Sequence, residues 1–554
     1  MKIGILIKKY NTLSNNELRV IEEILLNPKF ELSLLIKDGR TGSTDQTTFK
    51  SRFKRLFQSK NILGRVFFNI QVLIERKFFF KEEFTVDRDS IINELNKIDV
   101  IELKPQRKGF LDIFTDTDVE EVEKYKLDVL IRNEFNIIRG SILNSAKYGI
   151  WSFHHADNSI NRGGPAGLWE IILNQSTVGA TLQQLTPELD GGLVIDKAFF
   201  NCHWSFVKNN KLVKEASVSL LLKNLRKLEE GNYTVEKSTV YYNPLYKVPT
   251  LSYMLKYIFS FYYHLIKKAI ERFNNKIFGI RYNCWTIFIG KGDFLNATLF
   301  RLKPVEIPKN EFWADPFICS YEEKDYVFFE NYSYKTKKAK ISCGLIDGSE
   351  LIDITDVLEL DYHMSYPYIF REDNEIFLMP ETNDNNRLEI YKCIEFPNKW
   401  ELFSTAFEGE RVSDAFFYDD VDKQKWLFIN KETNKYSTGD NELYIYKVDS
   451  IKLNKIEGHK ENPVIIDSRT ARNAGCIFDY EGEDYRPSQA NIDGIYGRAL
   501  NINKIKKLNI DEYIEETIVT VKPNFHEGLN SVHHLHQKNK LFVIDAGFRR
   551  KLNK

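Results

Sequence analysis

The chain is poor in cysteine, and its cysteines form no pattern typical of a metal site or a disulfide framework. The six cysteines are scattered through 554 residues, without a Cys-x-x-Cys pair or a Cys/His ligand spacing. This excludes a disulfide scaffold, and we predict no metal site. Scattered cysteines favour free, buried thiols in a reducing compartment, so we predict a cytoplasmic location.

The chain also lacks an excess of charge of either sign. Its 78 Lys and Arg residues balance 78 Asp and Glu residues, so the formal net charge is zero. A neutral chain offers no overall electrostatic attraction for a polyanion. We therefore predict no nucleic-acid partner.

Two further absences narrow the class of protein. No apolar run reaches the length of a membrane span, and we expect the opening MKIGILIKKYN to be a first strand rather than a signal peptide. No Gly-x-Gly-x-x-Gly motif follows that strand, so dinucleotide binding is unsupported.

Strand and helix patterns alternate through the first part of the chain. Residues 14–26 have helical spacing, and they lie between apolar strand patterns over 2–7 and 30–36. Further short strands are predicted over 100–103, 127–131 and 149–153. This order predicts an open, mostly parallel α/β sheet in a first domain, residues 1–240.

Two segments rich in aromatic and basic residues show helical spacing. They are residues 48–84 and residues 251–273, the second lying inside a predicted connector over 241–284. Each is interpreted either as a helix that contacts a membrane surface or as a helix that packs against its own protein. Packing is the preferred interpretation, and peripheral membrane contact stays open.

Beyond residue 285 the pattern changes to short alternating runs separated by turns. Five units recur at a spacing of about 50 residues: WADPFICSYEEKDYVFFE, SYPYIFREDNEIFLMPE, VSDAFFYDDVDKQKWLFIN, NAGCIFDYEGEDYRPSQ and SVHHLHQKNKLFVID. This repeat predicts an all-β, five-bladed propeller of four-stranded blades over 285–554, with a β-sandwich as the competing fold.

Candidate catalytic residues lie between Gly149 and Ile195. A predicted strand ends at His154, an Arg-Gly-Gly-Pro turn begins at Arg162, and a later Asp-Gly-Gly turn begins at Asp190. An imidazole and a carboxylate at strand ends suit proton transfer, with His154 as general base or acid and Asp190 orienting it. The alternative is that the histidine is a satisfied polar residue and that the glycines only form turns.

These residues carry a resemblance to a known superfamily. The stretch resembles the catalytic core of the formyltetrahydrofolate-dependent formyltransferases, with His154 on the family histidine, Arg162-Gly163 on its Arg-Gly, Gly179-Ala180-Thr181 on its Gly-x-Thr and Asp190 on its catalytic aspartate. The resemblance covers about residues 1–200. It implies 10-formyltetrahydrofolate as the cofactor.

The resemblance has two departures. Ser152 stands where the family has an asparagine that donates a hydrogen bond to the developing oxyanion. Ser152 is retained as a catalytic candidate, and His155 or Asn158 can substitute as donor. The family's Ser-Leu-Leu-Pro loop reads Ala-Asp-Asn-Ser over 156–159. The predicted substrate- and cofactor-binding residues are His155, Asp157, Asn158, Arg162, Gly163 and Thr181.

The propeller units place polar residues on predicted inner strands. The predicted channel residues are Asp315, Glu381, Asp414, Arg472 and His533. The WADP turn and the aromatic hairpins make this part similar to the five-bladed propellers of glycoside hydrolase family 43. Saccharide binding is preferred, and glycoside cleavage by two carboxylates or a purely structural role are the alternatives.

Together these features predict a formyltransferase-like enzyme. It would transfer a formyl group to the amine of an amino sugar or nucleotide-linked sugar, and the propeller would recognise the saccharide. One alternative is a glycan-modifying transferase that uses the same His/Asp pair with another donor. The other, favoured by Ser152, is a non-catalytic glycan-binding protein with a degenerate formyltransferase fold. No oligomeric state is predicted.

Overall fold

The computed structural model describes residues 1–40, 61–79, 84–187, 192–237, 239–434 and 439–551. The chain divides into two units, Met1–Tyr262 and Tyr263–Lys554. The division falls inside the predicted connector, and the predicted domain boundaries at 240 and 284 stay predictions.

A mostly parallel sheet forms the core of the first unit. Its order is β10-β9-β8-β6-β1-β2-β3, and β9 and β10 run antiparallel at one edge. A smaller sheet has the order β4-β5-β7. The strands are β1 Lys2–Ile7, β2 Glu31–Asp38, β3 Val100–Leu103, β4 Gln106–Lys108, β5 Leu111–Ile113, β6 Val129–Arg132, β7 Ile137–Arg139, β8 Ile150–His154, β9 Thr177–Gln184 and β10 Leu193–Asn201.

Helices cover this sheet or follow it in the chain. They are α1 Asn15–Leu26, α2 Ile62–Phe79, α3 Arg88–Leu95, α4 Asp116–Glu123, α5 Trp169–Ile172, α6 Phe206–Glu229 and α7 Leu251–Phe278. Helix α1 begins at a capping box, in which the Ser14 backbone N–H donates to the Glu17 carboxylate over 2.8 Å. Its buried residues Leu18, Ile21 and Ile24 follow the 3.6-residue period that the sequence predicts.

Besides the end of α7, the described residues of the second unit form five antiparallel sheets, which are the blades of a propeller. Four of them have the strand orders β12-β13-β14-β15, β16-β17-β18-β19, β20-β21-β22-β23 (with β24 beside β22) and β25-β26-β27-β28. The fifth has the order β11-β30-β29. The strands are β11 Ile280–Lys291, β12 Glu311–Tyr321, β13 Lys324–Ser333, β14 Lys338–Asp347, β15 Glu350–Leu358, β16 Ser365–Glu372, β17 Glu375–Glu381, β18 Leu388–Glu395, β19 Lys399–Ala406, β20 Val412–Asp419, β21 Lys425–Lys431, β22 Glu442–Val448, β23 Ile456–Gly458, β24 Ile465–Ile466, β25 Phe478–Tyr480, β26 Glu483–Ile492, β27 Ile495–Leu508, β28 Tyr513–Val521, β29 Leu529–Lys538 and β30 Leu541–Lys551. Short 3₁₀ helices span Tyr10–Thr12, Ser141–Asn144, Phe294–Asn296, Leu299–Arg301 and Asn383–Asn385.

The fold class predicted from the sequence is confirmed. The chain combines an open α/β sheet with a five-bladed propeller, and each of the five repeated units contributes an inner hairpin. The blades are less uniform than predicted. The blade of β29 and β30 has three strands plus a single bridge between Phe288 and Pro304, because its outer strand comes from the start of the unit.

That outer strand also closes the propeller. Strand β11 pairs antiparallel with β30, so the first and last strands of the unit share one sheet. Within the described residues, no helix is both long enough and apolar enough to cross a membrane.

Candidate functional site

His154 lies at the carboxyl end of β8, where the adjoining parallel strand β6 also ends. It pairs with Thr181 of β9, and its Nε2 lies 2.5 Å from the backbone oxygen of Asn161. Open α/β sheets bind ligands at this edge. The structure therefore places the predicted base where such a sheet presents functional groups.

The predicted partner of His154 lies outside the described residues. Asp190 belongs to the segment 188–191, for which the structure describes no placement. Its role as the orienting carboxylate stays a prediction.

The Ser152 hydroxyl accepts a hydrogen bond from Arg132, a residue that the sequence analysis did not single out. Arg132, at the end of β6, donates from Nη1 to the Ser152 hydroxyl over 2.9 Å and from Nη2 to the Phe135 backbone oxygen over 3.1 Å. Burial lowers the pKa of Arg132. Its Nε has no hydrogen-bond partner among the described residues, so this guanidinium keeps one donor for a ligand.

His155 is a neutral imidazole beside this arginine. Burial lowers its pKa to about 3, and the charges of Lys214 and Arg132 act in the same direction. Its Nε2 also lacks a partner among the described residues. A neutral imidazole with an open nitrogen can donate or accept one hydrogen bond from a ligand.

The loop over 156–159 is polar and internally bonded. The Asp157 carboxylate accepts from the Lys197 ammonium over 2.7 Å and from the Ser159 hydroxyl over 2.7 Å. Burial opposes its charge, but these bonds outweigh burial and lower the pKa of Asp157. The backbone N–H of Asn158 donates to the Thr181 hydroxyl over 3.3 Å.

This loop bears on the expected cofactor. A folate donor is expected to contact Leu-Leu at these positions, and the structure has an ion-paired carboxylate and a buried amide residue there. These side chains are polar where the resemblance implies an apolar pair, and 10-formyltetrahydrofolate as the cofactor stays a prediction.

The turn at Arg162 is held by the segment around residue 240. The Arg162 guanidinium donates to the backbone oxygens of Asn158 and Thr239 and lies over the Tyr241 ring. Gly163 must be glycine here, because an added Cβ would lie 1.9 Å from the Tyr246 backbone oxygen.

In the propeller, three inner strands carry a bulge with the same unusual backbone. Asp315, Tyr366 and Asp414 have φ of 51°, 46° and 49°, and each lies where the register of its hairpin shifts. Positive φ is costly for residues with a side chain. The same bulge therefore recurs in three blades, and in each it changes the direction of one side chain of the inner strand.

Two predicted channel residues form one half of a buried cluster. His533 Nδ1 lies 2.8 Å from an Asp545 carboxylate oxygen, and its Nε2 lies 3.9 Å from Asp315. Burial disfavours charge on His533, but Asp545 and Asp315 outweigh it and raise the pKa of His533. Burial raises the pKa of Asp315 to about 7, with the neighbouring Asp545 and Asp414 adding to the effect.

The other three predicted channel residues form the second half. The Arg472 guanidinium donates to Asp414 over 2.6 Å and to Glu381 over 3.2 Å. Burial and the charge of Asp414 raise the pKa of Glu381 well above its usual range. All five channel residues predicted from the sequence therefore converge.

Sequence reasoning missed two acids of this cluster. They are Asp545 and Glu330. Asp545 has no exposed surface. Burial, and then the charges of Asp315 and Glu381, raise the pKa of Glu330. Both residues follow apolar strand segments, which are typical of a buried core and do not indicate a functional acid. The set Asp315, His533 and Asp545 also places ligand atoms within 4.8 Å of one another, which is close enough to hold a metal ion. The three are too far apart in sequence for a motif to reveal them.

A cavity of about 430 Å³ adjoins the cluster. Its lining includes Trp285, Tyr496, Lys267, Lys268 and Arg549. The Trp285 ring stacks on His533 with a centroid distance of 3.8 Å, and the Tyr496 ring contacts both His533 and Arg472. Aromatic walls beside carboxylates are suited to a saccharide.

The propeller matches the model of a known protein family. The profile of a family described as "Glucosamine inositolphosphorylceramide transferase 1, N-terminal" matches residues 299–541. A transferase of that name from Oryza sativa subsp. japonica is 33% identical over 227 residues, which are 40% of this chain and 30% of the relative. The protein of the same name from Arabidopsis thaliana is 29% identical over 229 residues, 41% of this chain and 29% of the relative. The matched part thus spans under a third of these relatives.

Solved structures resemble each unit weakly. A sugar N-formyltransferase from a Shewanella species has a TM-score of 0.28 at 14% identity, over 47% of this chain and 87% of that one. A thermostable family-43 glycoside hydrolase has a TM-score of 0.33 at 12% identity, over 44% of this chain and 90% of that one.

Proposed function

We propose that the chain is a glycan-modifying transferase whose propeller binds an amino sugar. The observation that carries the proposal is the charge of the buried cluster. Among the described residues it contains five acids, one guanidinium and the imidazoles of His533 and His534, each within 4 Å of Asp315. The acids are Asp315, Glu330, Glu381, Asp414 and Asp545.

The excess of acids favours a cationic ligand. Burial first, and then the charges of neighbouring acids, raise the pKa of Asp315, Glu330 and Glu381, so these groups resist ionisation and repel one another when ionised. A bound ammonium group would relieve that repulsion and accept charge-assisted hydrogen bonds. Neutral and ionised carboxyl groups can also bond the hydroxyls of a sugar ring.

The rim of the cavity has the opposite charge. Lys267, Lys268 and Arg549 line it, and Glu271 lies 3.8 Å from Arg549. The five acids are not among the described residues that line this cavity, but Trp285 and Tyr496, which line it, contact His533 and Arg472 of the acidic cluster. A basic rim beside that cluster suits a sugar whose phosphate stays at the mouth and whose amine points toward the cluster. We therefore favour a phosphate-linked amino sugar, either a nucleotide sugar or a glycolipid headgroup.

The names of the relatives agree with this choice. They are transferases named for glucosamine and inositolphosphorylceramide, and the similarity lies in the propeller. We assign transfer to the α/β unit, with His154 as the base that takes a proton from the acceptor. Arg132 and His155 are the donors available for developing negative charge.

The proposed amino-sugar ligand is tested first, by measuring its binding. Titration calorimetry with glucosamine 1-phosphate, glucose 1-phosphate and inorganic phosphate separates the amine from the phosphate. We expect Glu381→Gln and Asp414→Asn to weaken glucosamine 1-phosphate by about tenfold or more and to leave glucose 1-phosphate unchanged. Asp422→Asn, an exposed aspartate of the same unit, is the matched control.

Two results would overturn the saccharide assignment. One is equal affinity for the amino and the neutral sugar phosphate. The other is full binding by Tyr496→Ala, which removes a half-exposed ring at the mouth and leaves all five acids of the cluster in place. This variant keeps the test meaningful if the buried substitutions disturb folding.

Transfer is tested with two donor classes, followed by mass spectrometry of the acceptor. We expect product from a nucleotide-activated sugar, and loss of product in His154→Ala but not in His526→Ala, a propeller histidine. Product only from 10-formyltetrahydrofolate would instead restore the formyl assignment. Release of free sugar from an aryl glycoside, lost in Asp315→Asn, would favour hydrolysis, for which a carboxyl group with a pKa of about 7 is suited.

A further inference from the structure

Helix α7 exposes a continuous apolar stripe. Its members are Leu255, Phe259, Tyr262, Tyr263, Ile266, Ile270, Phe273 and Ile277, which are between 38% and 78% exposed. At 100° per residue they fall within about 100° of the helix circumference. Soluble proteins rarely expose so many large apolar side chains on one face without a partner.

The other faces of α7 pack against the protein or line the cavity. Met254, Tyr257 and Phe261 are buried in the first unit, whereas Lys267 and Glu271 line the cavity of the second. The stripe therefore does not belong to either of these packing surfaces.

Helix α2 has a second stripe of the same kind. Leu63, Phe67, Ile70 and Phe78 share one face and are between 37% and 67% exposed. The buried side of α2 is fixed by Glu75, which accepts from the Tyr257 hydroxyl of α7 over 2.5 Å. This bond helps to fix how each helix is rotated about its own axis. The apolar stripes therefore stay on faces that point away from this contact.

The charges of α7 identify the partner. The helix carries five cationic residues, namely Lys256, Lys267, Lys268, Arg272 and Lys276, and Glu271 is its one acid. Lys267 flanks the stripe on one side and Lys276 on the other, whereas the Lys256 ammonium donates to the Ile172 backbone oxygen over 2.7 Å. An apolar face bordered by lysines, with aromatic rings among the apolar residues, is the pattern of a helix lying in the interface of an anionic bilayer.

The spacing of the stripe also bears on the partner. From Leu255 through Phe259, Tyr262, Ile266, Ile270 and Phe273 to Ile277 the steps average about 3.7 residues, close to the 3.6 of a straight helix and above the 3.5 of a coiled coil. Such a stripe stays on one side of a straight helix and matches a flat surface. A second copy packed as a left-handed, heptad coiled coil would need the shorter period.

We propose that α7, together with α2, docks the protein on the surface of an anionic lipid bilayer. The helices lie in the headgroup region and do not cross it. This inference is independent of the substrate proposed above, although it would bring the basic rim of the cavity near lipid headgroups.

Vesicle flotation with the full chain tests the proposal. We expect wild-type protein to float with vesicles of phosphatidylcholine and phosphatidylglycerol, less with phosphatidylcholine alone, and less at high salt. The triple variant Phe259→Glu, Ile266→Glu, Phe273→Glu should reduce binding by about tenfold or more. These side chains are exposed, so circular dichroism and the melting temperature should stay unchanged.

The matched control adds the same three charges elsewhere. Phe300, Ile354 and Val421 are exposed apolar residues of the propeller, and their substitution by Glu should leave vesicle binding intact. Equal loss in both triple variants would overturn the proposal, as would wild-type protein that floats with neither vesicle. Light scattering that shows a dimer, broken by the stripe variant alone and without vesicle binding, would assign the stripe to a second copy and also overturn it.

Discussion

Single residues of the propeller channel are held in a costly backbone conformation by specific bonds. The Asp315 N–H donates to Asp545 over 2.9 Å, and its carboxylate accepts from the Tyr366 N–H over 3.1 Å. Left-handed backbone costs about 1–3 kcal/mol for such a residue. The same bonds that offset this strain also aim the carboxylate into the cluster.

The raised pKa of Asp315 makes stability depend on pH. Its ordinary value is 3.8 and its folded value is about 7, so the folded state holds the proton more tightly than the unfolded state. Stability that is present at low pH is therefore lost as the pH rises toward and through about 7. We expect Asp315→Asn to remove this loss, measured as the melting temperature at acidic and slightly alkaline pH. An unchanged pH dependence in the variant would contradict the assignment; Asp422→Asn should behave as wild type.

At the scale of elements, one buried carboxylate joins three helices. Glu75 of α2 has no exposed surface, and it accepts from the Tyr257 hydroxyl of α7, the Ser205 hydroxyl and the Val207 N–H at the start of α6. Each donor satisfies part of a charge that burial would otherwise make costly. The placement of α2 and of the first turns of α7 thus depends on this polar contact as well as on apolar packing.

Glu75→Gln tests that dependence. The amide puts two N–H donors where only acceptors fit, so we expect a loss of about 1–3 kcal/mol in the free energy of unfolding. Hydrogen exchange should rise in α2 and in residues 251–262. Glu120→Gln, on the exposed face of α4, is the control and should change neither. Unaltered exchange in α2 would show that apolar packing alone positions it.

At the scale of the whole molecule, the propeller is a closed ring and the α/β unit has its own core. Strand β11 carries Ile287, which is fully buried and faces Asp545 across the pairing with β30. The two ends of the unit meet in this sheet. Loss of the pairing between β11 and β30 would therefore open the whole ring, and its effect would not be confined to one blade.

We expect Ile287→Ala to destabilise the propeller by about 2–5 kcal/mol. Hydrogen exchange should increase in the inner strands β12, β16, β20, β25 and β29 together. The control is Ile24→Ala, an equally buried residue of α1, which should affect only the first unit. Faster exchange confined to β11, β29 and β30 would contradict cooperative closure.

Much of the architecture could be predicted because it is recorded in local patterns. The 3.6-residue period of α1 and the two-residue period of the propeller hairpins each act over a few residues. The same holds for the strand that ends at His154. The helical periods of α2 and α7 were also predicted, but not which of their faces would be left uncovered.

The sequence by itself thus determined the elements, the two fold classes, the repeat and the strand-end positions of most candidate residues. Only the tertiary structure decided which residues meet. Arg132 reaches Ser152 because β6 and β8 are neighbours, and Asp315 meets Asp545 across 230 positions because the ring closes. Periodicity depends on short-range geometry, which a sequence shows directly. Convergence, burial and the resulting pKa values depend on long-range pairing, which a single sequence does not specify.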